Sequence, residues 1–276
     1  MSTAESFADT AAEHFRDLQG RLCAAFEALE PRSRFEKRAW SKPAGHRLQG
    51  GGQSRLMRGE VFEKVGVNVS HVWGVLPPEA RGQVAGCEQS AGHFTATGIS
   101  LVAHMANPYV PTVHMNLRYL ATSRAWFGGG ADLTPTFPFE EDTREFHAAL
   151  QGACDAYRPE AYREFKEWCD RYFYLPHRQE PRGVGGIFFD DLAGPDRDVD
   201  FAFVRAVGEA LLQVHPRIVA RRRDTPFDEA ARERQLFKRG RYVEFNLVYD
   251  RGTRFGFSTD ADPDAYLMSL PPLVRW

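Results

Sequence analysis

Pro108–Leu120 reads PYVPTVHMNLRYL, and its alternation decides how the rest of the chain is read. Val113, Met115, Leu117 and Tyr119 are apolar, while His114, Asn116 and Arg118 are not. Successive side chains of a strand point to opposite sides, so this spacing predicts a strand with one apolar face and one carrying imidazole, amide and guanidinium groups. Just upstream, GISLVAHM (98–105) places Ile99, Leu101 and Met105 on one face and Ser100, Val102 and His104 on the other. The intervening turn is short, and strands so joined pair antiparallel, which puts Ser100 and His104 on the face of His114, Asn116 and Arg118. A polar face of this kind is ordinarily solvated. A set of amide and guanidinium groups instead suits planar, bidentate capture of a carboxylate.

Outward from this hairpin the pattern mixes strands and helices. Val65, Val67, Val69 and Trp73 mark a strand within 61–75, and Phe15, Leu18, Leu22, Phe26 and Leu29 recur at helical spacing over 11–29. Helices are expected at 139–154, 160–173, 199–214 and 227–239, the last stopped by Gly240. LQGGGQSRLMRG (48–59) lacks the lysine and Ser/Thr of a phosphate loop and reads as a mobile loop. RYVEFNLVYDRGTRFGFST (241–259) reads as a hairpin turning at Arg251-Gly252. Repeated hairpins and long helices without a βαβ rhythm predict an α+β fold, a large antiparallel sheet flanked by helices on both faces, as a single domain over 1–276.

Composition bounds the partners. The 276 residues are 43% hydrophobic with a net charge of -2, a balance that gives no reason to expect nucleic acid. With no apolar run long enough for a membrane span, no signal-peptide pattern, and Cys23, Cys87, Cys154 and Cys169 scattered without a C-x-x-C pair, a reduced cytoplasmic protein is expected.

Several stretches are candidates for chemistry. WFGGGADLTP (126–135) places three glycines before Asp132, which suits a tight corner or a close approach by a flat ligand. HRQEPRGVGGIFFDDL (177–192) sets His177, Arg178 and Arg182 beside glycines, as in an anion-binding loop. Its Asp190-Asp191 pair suits a turn or helix cap better than a metal pair. Asp250 suits a turn, although Glu244 and Asn246 share its expected face.

Taken together, NPYVPTVHMNLRY, GGGADLTP, WCDRYFYLPHR, RGVGGIFFDDL, GRYVEFNLVYDRGT and LMSLPPLVRW resemble the blocks of oxygen-dependent coproporphyrinogen III oxidases, over most of 62–276. The resemblance implies oxidative decarboxylation of the ring A and B propionates of coproporphyrinogen III to vinyl groups. It also implies O2 as co-substrate, no required cofactor, and a homodimer without integral membrane association. By the same resemblance, Ser100, Asn116, Leu117 and Arg118 contact substrate, with Arg178, Arg182 and Arg251 as further cationic contacts. His114 is implied as proton donor, and Asp132 and Asp250 as catalytic carboxylates, Asp250 engaging a pyrrole N–H. His104, His114, His147 and His177 match a set proposed to hold a divalent metal.

Two departures stand out. Asp260, Ala261 and Asp262 fill a substrate-binding segment that is Gly-Gly-Arg in bacterial members, and Asp262-Pro263 looks like a helix start. The chain is also expected to stop some tens of residues short of its relatives. A non-catalytic porphyrin-binding relative and a His-cluster metal hydrolase are the alternatives.

Overall fold

The computed structural model describes residues 3–258 and 262–276. Helix α1 (Thr3–Glu27) precedes strands β1 (Glu36–Ser41), β2 (Leu48–Met57) and β3 (Phe62–Val75). A single turn, α2 (Pro78–Arg81), leads to β4 (His93–Met105), β5 (Thr112–Ala121) and β6 (Ala125–Thr134). Helices α3 (Glu140–Tyr157) and α4 (Ala161–Tyr172), the two-residue strands β7 (Tyr174–Leu175) and β8 (Glu180–Pro181), and β9 (Gly185–Leu192) follow. The chain continues through α5 (Arg197–Arg222), α6 (Glu229–Val248), α7 (Arg251–Ser258) and α8 (Pro263–Leu267). Seven strands form one antiparallel sheet in the order β1-β2-β3-β4-β5-β6-β9, with β7 and β8 paired separately.

The alternation read in Pro108–Leu120 separates the two layers. Val113, Met115, Leu117 and Tyr119 are fully buried with Val65, Val67, Ile99 and Leu101, packed beneath Phe15, Leu18, Leu22 and Phe26 of α1 and Val204, Val207 and Leu211 of α5. Each such aliphatic burial contributes about 1.5–3 kcal/mol before entropy is charged against it. Gly208 lets α5 close in, because a Cβ there would lie 2.6 Å from Leu18.

The opposite face is roofed by α6 and the C-terminal segment, held by polar side chains of the sheet. Lys64 Nζ donates to the Leu270 carbonyl at 2.7 Å and Asn68 Nδ2 to that of Ala265 at 2.9 Å. Helices thus cover both faces of an antiparallel sheet, as the sequence predicts.

Local readings differ in two places. Residues 48–57 form β2, paired on both sides, rather than a loop. The glycines serve close packing: a Cβ on Gly52 would lie 2.3 Å from the Val69 carbonyl oxygen and 2.8 Å from the Trp40 ring. Residues 241–257 form the end of α6 and then α7, not a hairpin. Buried Leu236, Arg239, Tyr242, Val243 and Asn246 follow helical spacing, while Leu247 and Val248 are exposed. Gly240 does not stop the helix; it lets the C-terminal segment cross it, a Cβ there falling 2.4 Å from the Arg275 carbonyl oxygen.

Candidate active site

The register of β4, β5 and β6 places Gly98, Ser100 and Val102 opposite Arg118, Asn116 and His114, which in turn face Gly128, Gly130 and Asp132. Directly opposed residues share a face of the sheet. Ser100, His114, Asn116, Arg118 and Asp132 are therefore together on the face under α6 and the C-terminal segment. Leu117 is not: its side chain is wholly buried on the other face, a consequence of the period of two.

The first cluster is built around Asp132. His114 Nδ1 donates to Asp132 Oδ1 at 2.8 Å, while Arg182 Nη2 reaches both carboxylate oxygens at 2.8 and 2.7 Å. Arg182 also donates to Asn246 Oδ1 at 2.9 Å, and its guanidinium lies 4.0 Å from the Phe173 ring centroid and 4.5 Å from that of Tyr242. Side chains of Asp132 and Arg182 are each 2% exposed and that of His114 is 21% exposed, so the ion pair lies behind the imidazole. Burial works against the Asp132 charge, but Arg182 and His114 outweigh it and hold the carboxyl below its usual range. With Asp132 accepting from Nδ1, the tautomer is set and Nε2 is left for the open side.

A second cluster joins residues far apart in sequence. Asp190 takes Arg118 Nη2 at 2.9 Å and Arg251 Nη2 at 3.4 Å, and Arg118 also donates to Asn116 Oδ1 at 3.1 Å. Arg251 lies over Tyr172 and Phe188, whose rings stack at 4.3 Å and 11°. The glycine triplet lies inside β6, with a register shift between Phe127 and Gly129. A Cβ on Gly128 would fall 2.5 Å from Asp190 Oδ1 and 2.7 Å from Arg118 Nη2, so any larger residue would have to displace the ends of this ion pair. Asp250 caps α7, accepting from Thr253 N at 2.7 Å and from the Tyr172 hydroxyl at 3.0 Å.

Asp190 is the partner that sequence reasoning passed over. Its available signal was parity with Phe188 on a strand end, which a neighbouring aspartate made look like a turn.

Other expected residues lie elsewhere. Arg178 holds Glu244 through two bonds, at 2.9 and 2.7 Å, and His177 binds the same carboxylate at 2.7 Å and the Tyr249 hydroxyl at 2.9 Å. His104 is fully buried, which lowers its pKa to about 3, and it donates to the Ser269 carbonyl at 2.9 Å. His147 donates to the Val184 carbonyl at 3.0 Å and accepts from Tyr162 at 2.9 Å. These partners do not fit a shared metal site for His104, His114, His147 and His177, and no group of three or more His, Cys, Asp or Glu side chains among the described residues is placed to hold one. Asp262 caps α8, as its sequence suggests, and lies 3.4 Å from Arg38 Nη2. Asp260 and Ala261 lie outside the described residues.

Comparison with known proteins places the chain in a family. Residues 10–276 match the family model described as coproporphyrinogen III oxidase. Proteins named oxygen-dependent coproporphyrinogen-III oxidase are 50% identical in Rickettsia akari (strain Hartford), 49% in Rickettsia bellii (strain OSU 85-389) and 50% in Rickettsia conorii (strain ATCC VR-613 / Malish 7). Each alignment spans 271 residues, 95% of this chain and 95% of the relative, so these relatives do not extend some tens of residues beyond it.

Proposed function

The chain belongs to the coproporphyrinogen III oxidase family, and from that premise we propose that it is an oxygen-dependent coproporphyrinogen III oxidase. It converts the ring A and ring B propionates of coproporphyrinogen III to vinyl groups, giving protoporphyrinogen IX in haem biosynthesis. O2 is consumed, and CO2 and hydrogen peroxide are released. The observation that supports this best is the half-buried sheet face, where Arg118 and Arg251 flank a glycine-rich floor beside the His114–Asp132–Arg182 cluster. Four carboxylates on a flat, apolar macrocycle call for such a surface.

For each propionate, the bond between the outer methylene and the carboxylate carbon breaks, and a hydrogen leaves the inner methylene, next to the pyrrole ring. The two electrons pass to O2. Hydrogen peroxide takes two protons, one derived from that carbon–hydrogen bond and one from solvent. His114 relays the latter through Nε2, taking it up from solvent and passing it to the reduced oxygen, while Asp132 and Arg182 hold the ring in place. Arg118 and Arg251 bind propionates, with Ser100 and Asn116 along the floor, and Asp250 draws on a pyrrole N–H to enrich the ring for reaction with O2. The electron-rich pyrrole carries the oxidation, so the protein binds, orients and moves protons without a resident cofactor.

The protein works as a cytoplasmic homodimer. No described helix is long and apolar enough to cross a membrane, and exposed Leu273 and Trp276 near α6 suit a second copy. Anaerobically prepared coproporphyrinogen III mixed with the protein and then with O2 tests the activity, products being followed by fluorescence after oxidation. Vinyl product is expected. Tight binding without product would make the chain a non-catalytic porphyrin-binding relative, and neither result would leave the reading without support.

A further inference from the structure

Arg38 is on the edge strand, well away from both clusters, yet it belongs to the same face. It pairs with Ser54, which pairs with Asn68, then Ser100, then Asn116, so one transverse row runs from Arg38 to the proposed substrate floor. The adjoining row is Trp40, Gly52, Ser70, Gly98 and Arg118. Beyond the Trp40 ring this second row holds only glycine and serine before it reaches Arg118. Ser54, Asn68, Ser70, Gly98 and Ser100 are all half-buried. At about 4.8 Å per strand, β1 and β5 are about 19 Å apart, a span that a macrocycle with outstretched propionates bridges once both guanidinium groups reach inward.

Arg38 is also loosely held. Its side chain is 67% exposed and meets Asp262 at 3.4 Å and Asp264 at 3.5 Å. Neither contact has the short, forked geometry of a strong arginine–carboxylate pair. Its surroundings favour anions: Pro31 to Arg58 carries eight lysines and arginines against one glutamate, in a chain of net charge -2.

We propose that Arg38 is a specificity-determining residue that binds a propionate at the far edge of the site from Arg118, exchanging Asp262 and Asp264 for the carboxylate of the substrate. This rests on the porphyrinogen reading of the site. The two aspartates act as a placeholder for the ligand: they keep the guanidinium over the floor when the site is empty. Recognition at both ends selects a macrocycle with carboxylates on opposite sides over one with fewer.

The test uses Arg38→Ala, Arg38→Lys and the double variant Asp262→Asn/Asp264→Asn in the full-length protein. Steady-state turnover of coproporphyrinogen III is measured together with fluorescence titration of coproporphyrin III and its tetramethyl ester. Arg38→Ala is expected to raise KM, and Kd for coproporphyrin III, by about tenfold, the scale of one lost charge-assisted hydrogen bond, with kcat held within about twofold. Lysine should recover part of this, and binding of the uncharged ester should not respond. Freeing Arg38 in the double variant should leave binding as tight as in the parent or tighter, since asparagine still caps α8. An unchanged Kd in Arg38→Ala would overturn the proposal. So would a double variant that loosens binding as Arg38→Ala does, because the pair would then serve only to seat α8. A parent that makes no vinyl product but whose porphyrin affinity depends on Arg38 would refute the oxidase activity and keep this binding role.

Discussion

Arg182→Met tests whether the buried ion pair is the keystone of the site. Methionine retains an apolar stem against Phe173, Tyr242 and Phe245 but removes both bonds to Asp132, whose side chain is only 2% exposed. A buried carboxylate deprived of its partner costs about 3–5 kcal/mol. At the larger size of this chain that is a fall in Tm of roughly 6–20 °C. The sign of the pH dependence reverses with it. In the parent, burial raises the Asp132 pKa but Arg182 and His114 pull it below the usual value, so its stabilisation is present above the unfolded pKa and lost as pH falls through the folded one. Without the guanidinium, burial dominates and the folded pKa rises, so the deficit grows as pH rises above the unfolded value of about 3.9. Urea unfolding across a pH series measures both effects, and adding Asp132→Asn should restore part of the loss. A deficit below about 1 kcal/mol at neutral pH, or a double variant no more stable than Arg182→Met, would show that the cluster is not organised around this charge pair.

Three further outcomes are expected. Arg118→Ala should weaken substrate binding by roughly 1.5–3 kcal/mol, with Arg118→Lys rescuing only part because an ammonium cannot make the fork; an unchanged KM would place this face in solvent. Asp250→Asn keeps the α7 cap, so Tm should hold while turnover falls by roughly 10²-fold or more; near-normal turnover would reduce Asp250 to a capping residue. Glu30→Gln should cost about 1.5–3 kcal/mol in urea unfolding, because the buried carboxylate accepts the N–H groups of Glu60, Val61 and Phe62 at 3.0, 2.9 and 3.2 Å. Burial opposes the Glu30 charge but these bonds hold its pKa low, so the parent's advantage should be full above about pH 4.3 and fade as pH falls below it; a pH-independent difference would refute the assignment.

Side-chain direction along a strand is a local property of the backbone, and that is why so much of the sheet was legible. The alternation of Val113 to Tyr119 against His114 to Arg118 established which residues enter the core, and the short turn before it put Ser100 beside Asn116. Helical spacing likewise placed α1, α3 and α4 close to where they lie. Ordered blocks such as GGGADLTP identified the family without reference to any contact. Where local preference met a long-range contact, it lost. Glycines that read as a loop at Gly50–Gly52 are paired strand packed under tryptophan rings, and Gly240 continues a helix because another segment crosses it. The charge partners depended wholly on tertiary structure. Asp132 and Arg182 are joined by the loop that precedes β9, Asp190 gathers Arg118 and Arg251, and Arg38 faces α8. A carboxylate's choice among many arginines depends on distance and burial, and neither exists until strands and helices remote in sequence are packed together.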